Sequence, residues 1–248
     1  YPAPWGNEIR FGPLEALMGT VFSFVTLCSL ISGKTEIFED VKERNIHYFY
    51  IMINLLLSSL FALIYTNDLF TAYVFVEINT ISACAIVMAK ENGKTLAATM
   101  RYLVMSLLGS GLFLLAIVLT YGITGQLLMV PAHEAIVNLF QTGSYQIPLT
   151  VVLGLVCVAM AIKSALFPFH TWLSHAHGSA TTASSAILSG LVLKGYIIML
   201  IKIIVRVVGL EVIVQLKAVN ILFVMAVLAI FCGFRFERIS EYLTSLDK

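Results

Sequence analysis

The feature that most constrains this chain is a series of seven apolar segments, each long enough to cross a lipid bilayer. A helix needs about 20 residues, at 1.5 Å each, to span the hydrocarbon core. The segments do not show the strict alternation of β-barrel strands. The sequence therefore predicts an all-α polytopic membrane protein, with spanning helices at about 14–33, 47–66, 69–89, 96–121, 149–170, 182–206 and 216–234.

The composition favours the same class and excludes others. Of the 248 residues, 59% are hydrophobic and 12% are charged, whereas soluble domains are about 25% charged. A net charge of +1 gives no basic surface for nucleic acid. The cysteines and histidines lack the spacing of a metal site or a disulfide framework. No ligand set for haem, flavin or an iron–sulfur cluster is present, so we expect no metal, no cofactor and no redox chemistry of the chain's own.

The basic residues are distributed unevenly between the two ends of the predicted bundle. Residues 1–13 form a predicted outer loop, 14–234 a single membrane domain, and 235–248 a tail. One end collects nine basic residues: Lys34, Lys42, Arg44, Lys90, Lys94, Arg101, Arg235, Arg238 and Lys248. The other end collects Arg10, Arg206 and Lys217, with Lys202 near a helix end. The positive-inside rule then predicts an outer N-terminus and a cytoplasmic C-terminus.

Two connections in the predicted bundle differ in character. Residues 34–45 form a charged loop, whereas residues 122–148 contain neither lysine nor arginine. Within the second connection, Pro131 to Phe140 could form a short amphipathic helix at the membrane interface. Its end is predicted at Gly143.

Three ionisable residues fall well inside predicted spans, namely Glu77, Lys163 and Lys194. Each lies roughly 10 to 20 Å from a helix end at 1.5 Å per residue. A charge at that depth costs about 2.5–3.5 kcal/mol on insertion scales. Such residues normally face the interior of a bundle, pair with one another and mark an ion path.

The surroundings of these residues favour an inward orientation. Tyr73, Glu77, Thr80 and Cys84 follow helical spacing, so they form one polar stripe on their helix. Small residues flank both lysines and would allow close helix packing. A buried lysine loses its proton more readily than an exposed one, and a nearby carboxylate opposes that loss. A Glu–Lys pair is therefore a possible charge switch, although the lysines could also snorkel or pair for structural reasons.

A proline follows Lys163 inside the fifth predicted span. Pro168 removes a helix hydrogen bond and should kink or end this helix. Broken helices at membrane depth occur where they line protein or a water-filled cavity. His170, His175 and His177 follow, and histidine titrates near neutral pH. These histidines could relay protons to Lys163, bond to backbone carbonyls, or bind a metal, although no acidic or cysteine ligand is spaced to complete a metal site.

Several short motifs resemble the antiporter-like subunits of respiratory complex I, Mrp-type cation/proton antiporters and membrane-bound energy-converting hydrogenases. Residues 161–173 (AIKSALFPFHTWL) look like the broken lysine helix of that family, and residues 185–196 (SAILSGLVLKGY) like the next helix. Further similarity lies in Phe75-Val-Glu77, in residues 100–103 (MRYL), and in residues 1–6 (YPAPWG) and 12–17 (GPLEAL).

The resemblance implies a proton half-channel. By correspondence of motifs, Glu77 would pair with Lys163, and Lys194 would continue a polar axis through the membrane. The family has about fourteen helices in two inverted repeats, and the seven predicted here correspond to the first repeat. The second repeat is then expected from further residues of a longer chain or from another chain. The partners implied are other membrane subunits, protons and in some members Na⁺, in an energy-transducing bacterial, archaeal or organellar inner membrane.

Two other functions stay open at this point. The chain could be a non-conducting scaffold that keeps only the packing surfaces of such a subunit. It could also be a free-standing transporter of a small solute, although no substrate-sized polar cluster accompanies the ion axis. In none of these cases would the chain be a redox enzyme by itself.

Overall fold

A computed structural model describes residues 8–141, 143 and 145–216, together with positions 220, 223, 224, 226, 227 and 230. The regular secondary structure of the described chain is helical apart from two isolated β-bridges, so the predicted all-α class is confirmed. The helices are α1 (Pro13–Ser32), α2 (Lys34–Asp40), α3 (Glu43–Tyr65), α4 (Leu69–Val87), α5 (Gly93–Thr124), α6 (Met129–Gln141), α7 (Gln146–Lys163), α8 (Thr171–Ser179), α9 (Thr182–Ile187), α10 (Leu193–Ile203) and α11 (Leu210–Gln215).

Five described helices are long and apolar enough to cross a membrane, namely α1, α3, α4 with the 3₁₀ turn that follows it, α5 and α7. A sixth helical stretch runs from 182 to 208, where π turns at Leu188–Val192 and Ile204–Val208 flank α10. Each π turn changes which face the following residues present. The predicted seventh span at 216–234 and the tail at 235–248 lie largely outside the described residues.

Local capping explains where the central helices begin. Asp68 accepts a hydrogen bond from the backbone of Thr71 at 2.6 Å and so caps α4. Asn92 and Thr95 form a reciprocal capping box at the start of α5. The short connections on either side of α4 make α3, α4 and α5 neighbouring antiparallel helices, and α4 packs against both of the others.

The charged segment 34–45 is partly helical, so the prediction of a simple loop is wrong. Helix α2 occupies Lys34–Asp40 and buries Ile37 against the bundle. The segment is held to the α4–α5 connection by ion pairs, with Lys90 2.7 Å from Asp40 and Lys42 2.6 Å from Glu91. The end of the bundle that carries these lysines is called the basic end below.

At the opposite end, three extended segments cross the bundle. Ile9 bridges Thr66, and Asp68 bridges Leu128, in antiparallel pairing. Helix α6 follows, in the region where the sequence predicts a short amphipathic helix, and buries Met129, Ala132 and Ile136. These segments close the end of the bundle that faces away from the basic loops.

Candidate functional site

The centre of the bundle contains a helix that ends inside the membrane domain. Helix α7 ends at Lys163, and the chain is irregular until α8 begins at Thr171. The break therefore begins five residues before Pro168, which the sequence predicts as its cause. A turn in which Leu166 N donates to Ala161 O ends the helix, with Ala165 at a positive φ of 53°. Pro168 lies within the irregular segment rather than at its start.

Side-chain contacts fix the break in place. The indole of Trp172 donates to Ile162 O at 3.2 Å, which adds a second hydrogen bond to a carbonyl in the last turn of α7 that also accepts from Ala165 N at 3.3 Å. Gly109 of α5 lies directly beside the lysine, since a Cβ there would be 3.0 Å from Lys163 Cγ and 3.1 Å from Ala159 O. A glycine is therefore needed at this position for α5 and α7 to pack closely.

Lys163 is completely buried and faces the polar stripe of α4. Its Nζ donates to Thr80 Oγ1 at 3.0 Å and lies 3.9 Å from Glu77 Oε1, whose side chain is 23% exposed. At 3.9 Å, Lys163 and Glu77 form an ion pair but no hydrogen bond. The ammonium also lies 5.3 Å from the ring centroid of Tyr196, within the range of a cation–π contact. The structure thus brings Glu77 and Lys163 together.

Two tyrosines extend this polar cluster and were missed by the sequence reasoning. Tyr196 and Tyr102 are both fully buried. The Tyr196 hydroxyl lies 3.3 Å from Thr80 Oγ1. The hydroxyls of Tyr102 and Ser106 are buried nearby and have no hydrogen-bond partner within the described chain. Tyr102 also stacks on Trp172 with centroids 4.6 Å apart. Buried hydroxyl groups therefore lie between Lys163 and Ser106 of α5, and among the described residues the hydrogen bonds run from Lys163 through Thr80 to Tyr196.

Lys194 does not join this cluster. It is exposed on the surface of the described helices, between the buried residues Leu193 and Gly195. Residues two apart on a helix point in nearly opposite directions. Because Tyr196 faces Lys163, Lys194 faces away from it. The sequence expectation of one shared polar seam through all three charges is not met in the described part of the chain.

The three predicted histidines occupy different surroundings, and none has a described contact with Lys163. His170 stacks on Phe167, with ring centroids 5.9 Å apart. His175 is exposed and its Nε2 lies 2.8 Å from Arg101. His177 contacts Ser185 Oγ at 2.6 Å and interacts electrostatically with Lys194. In the described residues, no group of three or more metal-ligating side chains is close enough to hold an ion.

A second buried charged cluster lies at the opposite end of the bundle. Lys202 is 2% exposed and donates to the carbonyls of Ile64 and Thr66 at 2.6 and 2.7 Å. Arg206, one turn further along, is paired with the buried Glu15 of α1. The sequence placed these charges near helix ends, where charges are usually solvated. The i, i+4 spacing of Lys202 and Arg206 was the available signal for a shared face.

Comparison with known proteins agrees with this architecture. Residues 66–235 match the family described as NADH:quinone oxidoreductase/Mrp antiporter, TM. The chain belongs to this family. It is 28% identical over 196 residues to NADH-quinone oxidoreductase subunit N of Desulforudis audaxviator, covering 78% of this chain and 38% of the relative. It is also 28% identical over 195 residues to a Na(+)/H(+) antiporter subunit of Alkalihalophilus pseudofirmus, with the same coverage.

Solved structures of multi-subunit membrane complexes contain the same fold as this antiporter-like chain. A chain of the archaeal membrane-bound sulfane sulfur reductase aligns with a TM-score of 0.73 at 25% identity, covering 92% of this chain and 45% of that one. A chain of the Mrp complex from Dietzia sp. DQ12-45-1b aligns with a TM-score of 0.68 at 24% identity, with coverages of 84% and 38%. The antiporter-like chain thus spans less than half the length of these relatives.

Proposed function

We propose that this chain is a proton-translocating, antiporter-like subunit of a larger membrane complex, in which Lys163 holds and releases the transported proton. The observation that carries the proposal is the completely buried ammonium at the end of α7, bonded to Thr80 and 3.9 Å from Glu77. A fixed buried ion pair would be expected to form direct hydrogen bonds. At the longer separation observed here, no direct hydrogen bond holds the Glu77 carboxylate to the lysine.

The charge of Glu77 is the control element in this proposal. Two unit charges 4 Å apart attract by about 4 kcal/mol at an effective dielectric constant of about 20. A carboxylate at this distance favours the ammonium form of Lys163, so its withdrawal or neutralisation favours release of the proton. A conformational change coupled to redox chemistry or to a cation gradient elsewhere in a complex could supply that displacement.

The tyrosine hydroxyls provide the path for the proton between Lys163 and the basic end. Tyr102 lies seven residues from Gly109 along α5, roughly 10 Å nearer to the basic end. Thr80, Tyr196, Tyr102 and Ser106 can each donate and accept a hydrogen bond. The histidines stay an alternative route to Lys163, although the described hydrogen-bond contacts of His175 and His177 are with Arg101 and Ser185.

Lys194 has a different role in the proposal. Lys194 is exposed on the face of α10 that is directed away from Lys163. This position suits the transfer of a proton from Lys194 to a neighbouring polypeptide or to a second repeat. His177 and Ser185 lie on the same side and could exchange a proton with it. The ion at this step is a proton, or a cation exchanged for protons as the names of the antiporter relatives indicate.

The basic end is proposed to face the cytoplasm, which leaves the N-terminus outside. The described lysines of the connections at that end support this orientation through the positive-inside rule. Labelling Lys34→Cys and Gln126→Cys with a membrane-impermeant thiol reagent in intact cells would test it. Only the second position should react; labelling of Lys34→Cys alone would reverse the orientation.

The proposal is tested with the complete complex in proteoliposomes, using proton uptake as the readout. Lys163→Ala should abolish coupled proton translocation while the complex assembles normally on a native gel. Lys34→Ala, an exposed lysine of α2, is the matched control and should transport like the wild type. Normal transport by an assembled Lys163→Ala complex would contradict the proposed switch and favour the scaffold role.

A further inference from the structure

A groove between α5 and α8 opens on the outer surface of the bundle near the basic end. It consists of two adjoining cavities of about 360 and 510 Å³ that share Arg101 and His175. The first cavity also exposes Lys94 and Ser174, and none of its lining residues is acidic. The proposed proton path uses the buried Tyr102 and Ser106, whereas Lys94 and Arg101 of the groove are exposed.

The charges of the groove are positive and lack carboxylate partners within the described chain. Two other basic residues near this end form ion pairs, Lys42 with Glu91 and Lys90 with Asp40, whereas Lys34 and Arg44 are in none of the described ion pairs and line neither cavity. No ion pair in the described ranges includes Lys94 or Arg101. Arginine can only donate hydrogen bonds, so the contact of 2.8 Å makes His175 Nε2 the acceptor. His175 is then neutral and orients the guanidinium without cancelling its charge.

An apolar strip continues from the groove along α5 toward the middle of the membrane. Met100, Val104 and Leu108 follow one another at helical spacing, and each is more than half exposed. Met100 and Val104 also line the second cavity. Basic groups at the end of a membrane helix and exposed apolar side chains below them match the two parts of a phospholipid.

We propose that this groove binds an anionic phospholipid. Its phosphate lies between Lys94 and Arg101, and an acyl chain follows Met100, Val104 and Leu108. Basic pockets between transmembrane helices are typical sites for anionic headgroups. Free phosphate would not need the apolar strip, and an acidic protein segment would bury few of those side chains, so a lipid accounts for both features of the groove.

The test is native mass spectrometry of the complete complex, titrated with dioleoyl phosphatidylglycerol or with dioleoyl phosphatidylcholine. Each basic residue near a membrane surface contributes an attraction that corresponds to about a fivefold change in affinity. The Lys94→Gln/Arg101→Gln variant should therefore bind phosphatidylglycerol roughly 25-fold more weakly. The matched control is Lys34→Gln/Arg44→Gln, which removes two exposed charges from the same end and should bind like the wild type.

A steric variant separates the groove from general surface charge. Ala97 lines the first cavity and is exposed, so Ala97→Trp should displace the lipid without changing any charge. Equal binding of the two lipids by the wild type, or unchanged phosphatidylglycerol binding in both groove variants, would overturn the proposal. Competition by millimolar inorganic phosphate, or photo-crosslinking from position 97 to a polypeptide instead of a lipid, would overturn it in favour of a free anion or a protein partner.

Discussion

Lys163 and Glu77 face each other at 3.9 Å across α7 and α4, without a hydrogen bond between them. The lysine is instead bonded to Thr80, one turn further along α4. The two charges are close enough to influence each other strongly but are not locked together. In the proposed mechanism, a small displacement of either helix would change the charge that Lys163 can hold.

Glu77→Gln should reduce proton translocation less severely than Lys163→Ala. Glutamine keeps the size of the side chain but removes the charge that favours the ammonium form. The pH dependence of transport should therefore change along with its rate. Transport by proteoliposomes measured across a pH series is the readout, and Glu134→Gln, at an exposed position of α6, is the control. A pH profile identical to the wild type would argue against control by Glu77.

Tyr196→Phe should slow proton translocation by roughly tenfold, the effect of losing about one hydrogen bond's contribution to a barrier. The substitution keeps the ring beside Lys163 and removes only the hydroxyl that contacts Thr80. Thermal stability should change little, which separates a transport defect from misfolding. Tyr121→Phe, at an exposed position of α5, is the matched control. A wild-type rate in Tyr196→Phe would exclude this hydroxyl from the path.

The sequence predicted the parts of this site that follow from periodicity and depth. Long apolar segments predicted the five described helices that are long and apolar enough to span a membrane, because each spanning segment must satisfy its own backbone hydrogen bonds in lipid. The spacing of Glu77 and Thr80 predicted one polar face, and both residues meet Lys163. The end of α7 at Lys163 was not predictable, since it depends on the turn at Ala165 and on the distant Trp172 indole.

The direction of each charge around its helix was harder to predict than its depth. Lys194 was expected inside the bundle, yet the register of α10 turns Tyr196 inward and Lys194 outward. A π turn immediately before α10 changes that register, and nothing in the local sequence specifies it. The buried Lys202 donates to the carbonyls of Ile64, in α3, and of Thr66, the C-cap residue of α3. Both carbonyls are more than 130 residues away from Lys202 in the sequence.

Lys202→Met should destabilise the bundle by about 3 kcal/mol, because it removes two charge-assisted hydrogen bonds from buried carbonyls at the end of α3. Methionine keeps most of the side-chain volume, so the loss of packing is small. The melting temperature of the purified chain in detergent is the measurement. Lys194→Met replaces an exposed lysine of the same helix and should leave the melting temperature nearly unchanged. Equal melting temperatures of the two variants would show that the Lys202 bonds contribute little.

Glu91, in the connection between α4 and α5, contacts Lys42 and Asn45 near the start of α3. This contact should depend on pH. A hydrogen bond from Lys42, followed by the Coulomb attraction of Lys42 and a hydrogen bond from Asn45, holds the pKa of Glu91 below its usual value of 4.5. A carboxyl group whose pKa is lower in the folded state stabilises that state above its unfolded pKa, and this contribution is lost as the pH falls through the folded pKa.

The melting temperature of Glu91→Gln should therefore be slightly below that of the wild type at neutral pH, and the difference should disappear as the pH falls below about 4.5. The effect is small because the group is exposed to solvent. Thermal melting in detergent between pH 7 and pH 3 measures it, and Glu39→Gln, at an exposed position of α2 outside the described ion pairs, is the control. A difference that grows on acidification would contradict the assigned contact, because protonation of Glu91 can only weaken its bonds to Lys42 and Asn45.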